Sequence, residues 1–190
     1  SLIITIKNLQ EGRSTFFCGR YSTQGFKEYF LTLFMLKTEI PLLIFFFVKI
    51  VLCFFVKKND EKNFLRLFLL FNVALYFIIA SFSKTQIGIR HLLPIYILVI
   101  YFVSELINKK HLFTLIIILT LWYIISTIQV IPWHISYFNE ICGGPKNGFR
   151  YFTDSNIDWG QGLKHLGIWL KNNPDLSEGG IYFSYFGVGD

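Results

Sequence analysis

Residues 111–131 read HLFTLIIILTLWYIISTIQVI, a run of aliphatic and aromatic side chains without a single Lys, Arg, Asp or Glu. About 20 consecutive, mostly apolar residues are what an α-helix needs to cross the hydrocarbon core of a bilayer. Three further segments of similar character precede this one, at 40–56, 64–82 and 87–107. The sequence therefore predicts four membrane-spanning helices and an all-α integral membrane helix bundle.

The composition of the whole chain agrees with a membrane protein. Its 190 residues are 53% hydrophobic and only 16% charged, whereas soluble domains carry roughly 25% charged residues. A soluble domain of this length has too little interior to hide so many apolar side chains, and disordered chains are poor in them. The net charge of +6 forms no clustered basic face, so we expect a lipid membrane and no nucleic acid as partner.

Short connections between the four segments predict that the chain crosses the membrane up and down in turn. The basic loop residues then lie together on one side, which the positive-inside rule makes cytoplasmic. These residues are Lys57, Lys58, Lys62, Lys109 and Lys110. Segments 1–39 and 132–190, and with them both termini, are therefore expected on the extracytoplasmic side.

The two outer segments differ in their predicted structure. Segment 1–39 is extracytoplasmic or interfacial, with a strand at 2–6 and an apolar stretch at 29–36 that is too short to span. Segment 132–190 is a small α/β piece, with an amphipathic helix through Leu163 and Leu170 and a strand at 181–186. The chain opens on Ser1 without a leader and stops just after that strand, so we expect it to be a truncated part of a longer protein.

The three cysteines show no C-x-x-C spacing, which argues against a zinc or thioredoxin motif. Cys53 lies in an apolar run and is interpreted as an inert thiol. Whether Cys18 and Cys142 pair is left open by the sequence.

Arg90 and His91 lie at the start of the third predicted span, followed by Pro94. Charge near hydrocarbon is costly, so such residues tend to face a cavity or a partner. Arg can hold a phosphate through two parallel N–H bonds, which makes a lipid phosphate the natural ligand. The alternative is an Arg side chain that anchors the helix end by reaching to the interface. Lys84, in the preceding loop, adds a second cation or is a plain interfacial lysine.

Two lysines flank or enter the first predicted span. Lys37 lies at its outer edge, where it meets either a ligand phosphate or ordinary lipid head groups. Lys49 lies deeper in the same segment, and we interpret it as one half of a structural ion pair inside the bundle.

The tail concentrates polar and aromatic residues between Asp154 and Gln161. Carboxylates beside an indole suit a sugar, and two Asp side chains could share a divalent cation, although the sequence leaves the need for a metal unknown. The alternative is structural, with Asp158 as the cap of a helix over 160–171. Candidates for sugar or acceptor contact, or for such structural roles, are Asp154, Asn156, Asp158, Trp159, Gln161, Asn139 and Glu140.

Several motifs in this order resemble the C-terminal half of bacterial polyprenol-phosphate-dependent glycosyltransferases. These are GT-C membrane proteins of the family 39 type, related to protein O-mannosyltransferases and aminoarabinose transferases. The matching residues are Gly19, Ser22 and Gly25 with Tyr29-Phe30, Lys37-Thr with Pro41, Gly88-Ile-Arg-His-Leu-Leu-Pro94, Ser136-Tyr-Phe-Asn-Glu140 with Gly143-Gly-Pro145, and Asp154-Ser-Asn with Asp158-Trp-Gly-Gln161.

The resemblance implies part of a GT-C fold in a bacterial inner (plasma) membrane, and an enzyme of the cell envelope. Such an enzyme moves a sugar from a polyprenyl-phosphate donor to a protein, lipid or glycan acceptor outside the cytoplasm. It implies that Arg90, His91 and Lys37 bind the donor phosphate, and we expect Lys84 to join them because it lies six positions before Arg90. It also implies that the catalytic acidic residue belongs to an N-terminal part that this chain lacks.

A rival interpretation is a non-enzymatic bundle, such as a transporter or channel subunit, in which Arg90 and His91 line a solute path. Such a path favours polar residues recurring along several helices. The segments at 64–82 and 111–131 offer nothing ionisable beyond the edge residues Arg66 and His111. A structural fragment without a site of its own is the third alternative.

Overall fold

The computed structural model describes residues 14–55 and 61–176. This part of the chain is mostly helical, with one small hairpin near its start. Its strands and α-helices are β1 (Thr15–Phe17), β2 (Arg20–Ser22), α1 (Tyr29–Lys37), α2 (Ile40–Phe54), α3 (Glu61–Ser81), α4 (Leu93–Ser104), α5 (Phe113–Gln129) and α6 (Leu163–Lys171). Short 3-10 turns extend α4 at both ends, precede α5 and make up most of residues 134–156.

Three of the four predicted spans are confirmed as helices long and apolar enough to cross a membrane. They cover Asn63–Ser81, Ile89–Asn108 and Lys110–Gln129, within two residues of the predicted bounds at each end. Their outward faces carry apolar side chains, such as Phe64 and Ile97, that are mostly exposed. Lipid rather than water is the solvent that suits these faces.

The first predicted span, at 40–56, is different in the structure. Helix α2 ends at Phe54 after 15 residues, which at 1.5 Å per residue is about 22 Å and short of the roughly 30 Å hydrocarbon core. The apolar stretch predicted to lie at the interface is helix α1. The two helices meet at Thr38-Glu39 with a bend of 113°, and only together do they pass as membrane-spanning.

Helix α1 is the centre of the packed core. Phe30, Leu33 and Phe34 of α1 are almost fully buried, as are Ile95 and Val99 of α4. Phe138 and Phe152 from the tail close the core from the other side, so the tail is part of the same hydrophobic unit. Because α1 is packed in this way, Lys37 at its last position is held in place.

The hairpin of β1 and β2 was not among the predicted elements. Its register pairs Thr15 with Ser22, and Cys18 and Gly19 form the turn with positive φ angles. The Cys18 amide donates to the Tyr151 carbonyl oxygen at 2.9 Å, which ties the hairpin to the tail.

In the tail, the predicted amphipathic helix is confirmed as α6, and Pro174 follows its end. The strands predicted at 2–6 and 181–186 lie outside the described residues.

Candidate functional site

Four motifs that are far apart in the sequence converge at the end of α1. They contain Lys37, Gly88, Asn139 and Asn156, and the last two side chains are almost completely buried. The contacts among them are hydrogen bonds from side chains to the backbone. The site is therefore built on tertiary contacts and not on one helix.

Lys37 is 7% exposed and points into this junction. Its ammonium group donates to the backbone carbonyl oxygens of Ile135, at 2.5 Å, and Asn156. It also lies 4.5 Å from the centre of the Phe138 ring, a cation–π distance. No carboxylate among the described residues pairs with Lys37, so its amino group contacts backbone dipoles and a ring face in place of a negative charge.

Asn156 joins the tail to the start of the third span. Its side chain accepts from the Ile89 amide at 3.1 Å and donates to the Tyr29 hydroxyl at 2.9 Å. Gly88 has a φ of +109°, and a Cβ there would lie 2.8 Å from the Asn156 side-chain oxygen. The Gly88 motif and the Asp154-Ser-Asn motif are thus one packed unit, in which only glycine fits at position 88.

Asn139 fixes the end of α1. Its amide nitrogen donates to the carbonyl oxygens of Met35 and Thr38, both at 2.7 Å, while its oxygen accepts from the Ile141 amide. The side-chain amides of Asn139 and Asn156 are therefore occupied by internal partners. This geometry fits the structural alternative of the two that the sequence left open for them.

A cavity of about 300 Å³ opens beside Lys37, and we call it the outer cavity. Polar side chains line one part of it and apolar residues of α2, α4 and α5 line the rest. Its lining residues are Lys37, Glu39, Leu42, Ile89, Tyr96, Ile100, Tyr123, Val130, His134 and Tyr137. The volume lies at the lower end of the roughly 300–1,000 Å³ typical of ligand pockets.

Tyr137 has the clearest unmet hydrogen-bonding capacity in this cavity. Its side chain is 9% exposed, and its hydroxyl has no hydrogen-bond partner within the described part of the chain. Burial raises the pKa of the Tyr137 phenol, and the charges of Glu39 and Glu140 raise it further, so the hydroxyl stays protonated. A buried donor without a partner is costly, which makes the Tyr137 hydroxyl a candidate donor to a bound group.

An apolar groove of about 250 Å³ adjoins the outer cavity. The groove and the cavity share Leu42, Ile100 and Tyr123 in their walls. Phe45, Val103 and Thr120 complete the groove, which lies between α2, α4 and α5. One molecule with a polar head and an apolar chain could occupy both spaces.

The other residues predicted to bind the donor phosphate lie outside the walls of this cavity. Arg90 is exposed, and its guanidinium lies 4.7 Å from the centre of the Trp159 ring. The His91 ring packs edge-on against Phe30, and its carbonyl accepts from the Tyr76 hydroxyl. Lys84 is exposed in the loop before the third span. Of the four predicted residues, the structure brings Lys37 alone into the outer cavity.

The residues around Asp158 form a turn, and the predicted helix cap is wrong. The Asp158 carboxylate accepts from the Gly160 amide at 3.0 Å, and α6 begins later, at Leu163 with Gly162 as its cap. Gln161 accepts from the Trp159 amide and donates to the Ile157 carbonyl oxygen. The helix starts too far along the chain for Asp158 or Gln161 to cap it. Both side chains instead form hydrogen bonds within the turn.

Asp154 and Glu140 are both exposed, and Asp154 adopts a positive φ of 58°. Within residues 14–55 and 61–176, no three His, Cys, Asp or Glu side chains come close enough to form a metal-binding group. A divalent cation shared by two Asp residues, as predicted, would find no third ligand of these types within the described residues.

The cysteines are free thiols. Cys18 is exposed on the hairpin and Cys142 is buried in the tail, so the structure contains no disulfide between them. Burial raises the pKa of both thiols, which keeps them in the less reactive protonated form.

The expected ion pair of Lys49 is confirmed. Its ammonium group lies 2.6 Å from a carboxylate oxygen of Glu105, and Arg66 donates to the same oxygen at 2.7 Å. Lys49 therefore has a carboxylate partner, which it shares with Arg66, whereas Lys37 has none among the described residues.

Four residues of the outer cavity were not predicted as site residues from the sequence. They are Glu39, Tyr96, His134 and Tyr137. Tyr137 lies in the Ser136-Tyr-Phe-Asn-Glu140 motif, and Glu39 lies two residues from Lys37. Proximity to these motifs was the available signal, whereas the burial of one hydroxyl becomes visible only in the packed structure.

Comparison of the chain with protein-family models, with curated proteins and with solved structures gives no match.

Proposed function

We propose that this chain is the membrane part of an enzyme that transfers a sugar from a polyprenyl-phosphate donor to an acceptor outside the cytoplasm. The observation that carries the proposal is the joined pair of spaces, a polar cavity and an apolar groove with three shared wall residues. A lipid-linked sugar has the matching two-part chemistry. The motif resemblance described above supports the same class of enzyme.

In this proposal the polyprenyl chain lies in the groove between α2, α4 and α5, with its phosphate in the outer cavity. Lys37 and the Tyr137 hydroxyl then donate to the phosphate oxygens. A buried ammonium without a carboxylate partner is costly, so the anion recovers part of that cost. Positive charge at this point would stabilise the phosphate as it leaves the sugar.

Sugar hydroxyls need hydrogen-bond acceptors as well as donors. Glu39 and His134 line the same cavity and supply them. Arg90 and Trp159 lie outside its walls, where a cation and a flat ring side by side suit the sugar or the acceptor. His91 and Lys84 lie next to Arg90 and in the loop before it, and Lys84 adds positive charge there. The acidic residue that activates the acceptor is expected outside this chain.

The Tyr137→Phe variant tests the proposal because it removes only the unpartnered hydroxyl. Hydrogen bonds to charged groups contribute about 1.5–3 kcal/mol, so we expect polyprenyl phosphate to bind about 10- to 100-fold more weakly. Tyr101→Phe is the matched control, since Tyr101 is exposed on α4 and lines neither space. Binding is measured as ligand-induced thermal stabilisation of the purified chain in detergent.

Two outcomes of that experiment would contradict the proposal. One is equal binding by wild type and both variants. The other is equal binding of polyprenol, which lacks the phosphate, since the cavity would then not recognise the head group. Ligand-free Tyr137→Phe should be at least as stable as wild type, because the hydroxyl has no partner to lose among residues 14–55 and 61–176.

The proposed orientation puts the outer cavity on the extracytoplasmic side. A cysteine introduced at Lys146 should react with a membrane-impermeant thiol reagent in intact cells, whereas one at Lys109 should not. Both positions are exposed, so the membrane rather than burial decides the labelling. Cys18 is replaced by Ser in the background because it is itself exposed. The reverse labelling pattern would overturn the orientation.

A further inference from the structure

Glu39 brings a carboxylate into the wall of the outer cavity, and among the described wall residues it is the only one. It lies at the bend, directly before the first residue of α2, and is half-buried. Its side chain does not cap α2, and no ion pair or side-chain hydrogen bond joins it to another described residue. The carboxylate therefore enters the cavity without a cation that neutralises it in the described part of the chain.

Lys37 and Glu39 line the same cavity without forming an ion pair. The Lys37 ammonium group donates to the carbonyl oxygens of Ile135 and Asn156 instead. The charge of Glu39 nevertheless reaches the opposite wall, because together with burial it raises the pKa of the Tyr137 phenol. The cavity thus has donors at Lys37 and Tyr137 and a negative charge close to them.

This arrangement has room for one phosphate group and no favourable place for a second. In the proposed function, Lys37 and the Tyr137 hydroxyl donate to the first phosphate. Within about 300 Å³, a second phosphate would lie close to Glu39, where like charges repel, or in the apolar groove, where it would lose its hydration. Sugar hydroxyls are neutral donors, and Glu39 can accept from them.

We propose that Glu39 makes the outer cavity selective for a lipid that carries a single phosphate group over one that carries a diphosphate. This inference rests on the proposed function, since it takes the donor phosphate to lie beside Lys37. Specificity is a difference between two affinities, and a like charge in the wall lowers the affinity of the wrong ligand. The donor class is then a sugar joined to polyprenol through one phosphate.

The test compares polyprenyl phosphate with polyprenyl diphosphate of the same chain length. Binding to the purified full chain is measured as ligand-induced thermal stabilisation in detergent with EDTA. Wild type should bind the monophosphate more tightly. Glu39→Gln should bind the diphosphate about tenfold more tightly than wild type does, and gain less for the monophosphate, because repulsion grows with the charge of the ligand. Glu39→Asp keeps the charge and should keep the wild-type preference.

Glu28→Gln is the matched control. Glu28 lies directly before α1, at the opposite end of that helix from Lys37, and it is exposed and does not line the outer cavity. Its loss of charge should leave the ratio of the two affinities unchanged. Glu39→Gln should fold as wild type does, because the Glu39 side chain has no ion pair or hydrogen bond to lose among the described residues. Ligand-free thermal unfolding checks this.

The possible outcomes separate this inference from the proposed function. Equal binding of both lipids by wild type, or an unchanged ratio in Glu39→Gln, overturns the inference and leaves the proposed function standing. If neither lipid binds wild type more tightly than polyprenol does, the proposed function itself is wrong. A repeat with Mg²⁺ in place of EDTA completes the test. Weaker binding by Glu39→Gln only with Mg²⁺ present would make Glu39 a ligand of the cation, which also overturns the inference.

Discussion

Two buried lysines lie on either side of the bend between α1 and α2, and they are stabilised in opposite ways. Lys49, 4% exposed, pairs with the Glu105 carboxylate at 2.6 Å. Lys37, 7% exposed, contacts two backbone carbonyl oxygens and the face of Phe138. Lys49 therefore contacts a negatively charged group, whereas Lys37 contacts carbonyl dipoles and a ring face.

This difference separates the tasks that the same residue type performs. Lys49 joins helices through its ion pair with Glu105. Lys37 is held in position by carbonyl oxygens and a ring face, and no carboxylate among the described residues pairs with it. Under the proposed function, this difference assigns a structural role to Lys49 and a ligand-binding role to Lys37.

The largest expected effect comes from removing each charge in turn. Lys37→Met should weaken the binding of polyprenyl phosphate by about 10- to 100-fold, because a charge-assisted hydrogen bond to the phosphate is lost. Lys49→Met should leave that binding unchanged. Lys37→Met removes a donor from two carbonyl oxygens, and Lys49→Met removes one of the two donors to Glu105, so both should lose about 1–3 kcal/mol of folding free energy. Binding and unfolding are measured on the same preparations, and equal losses of binding would erase the distinction between the two lysines.

Gly88→Ala tests whether the environment of Lys37 depends on the packing of Asn156 against the start of the third span. A Cβ would meet the Asn156 oxygen at 2.8 Å while the backbone keeps a φ of +109°. We expect a loss of about 1–3 kcal/mol in folding free energy, because such a φ strains any residue that has a side chain. Weaker polyprenyl-phosphate binding should accompany it.

Gly167→Ala is the control for this substitution. Gly167 lies within α6, and a Cβ there meets no atom within 4 Å. Alanine should therefore stabilise the helix by up to about 1 kcal/mol. If Gly88→Ala behaved in the same way, the contact between the two motifs would not hold the site together. Thermal unfolding in detergent distinguishes the two results.

Arg90→Ala tests whether a second cation assists Lys37. Arg90 is exposed and stacked on Trp159, so water screens its charge and we expect about a tenfold loss of sugar transfer in the full-length enzyme. Arg150→Ala is the control, because Arg150 is also exposed and lies 5.8 Å from the Phe149 ring. Transfer by Arg90→Ala at the level of Arg150→Ala would leave Lys37 as the principal cation for the donor.

Hydropathy sufficed to predict the spans around Asn72, Val99 and Leu119, because the hydrocarbon core selects helix length and apolar composition directly. Hydropathy was insufficient at 40–56, because α2 passes as membrane-spanning only together with α1. Helix α1 lies earlier in the sequence, and the two are joined by the bend at Thr38-Glu39. Tertiary packing of α1 against the tail fixes that bend, and a window of local hydropathy contains no information about it.

The site was predictable in part for similar reasons. Lys37 could be singled out because it lies at the edge of an apolar segment, and Asn139 and Asn156 because they belong to polar, turn-rich motifs of the tail. Which partner each one finds depends on contacts across 100 residues or more, as between Asn139 and Met35 or between Asn156 and Lys37. The unpartnered Tyr137 hydroxyl has no signal in the sequence, because tyrosine is ordinary at a membrane interface.

The hydrogen bonds from Asn139 to the last carbonyl groups of α1 set an order of events during synthesis. Their donor and acceptors are 104 and 101 residues apart. The end of α1 therefore stays incomplete while the later helices are made, and it is completed only when the segment that carries Asn139 has been synthesised and has packed against it. The bend that carries Lys37 thus takes its final form after the helices that follow it in the sequence, although its own residues are synthesised before theirs.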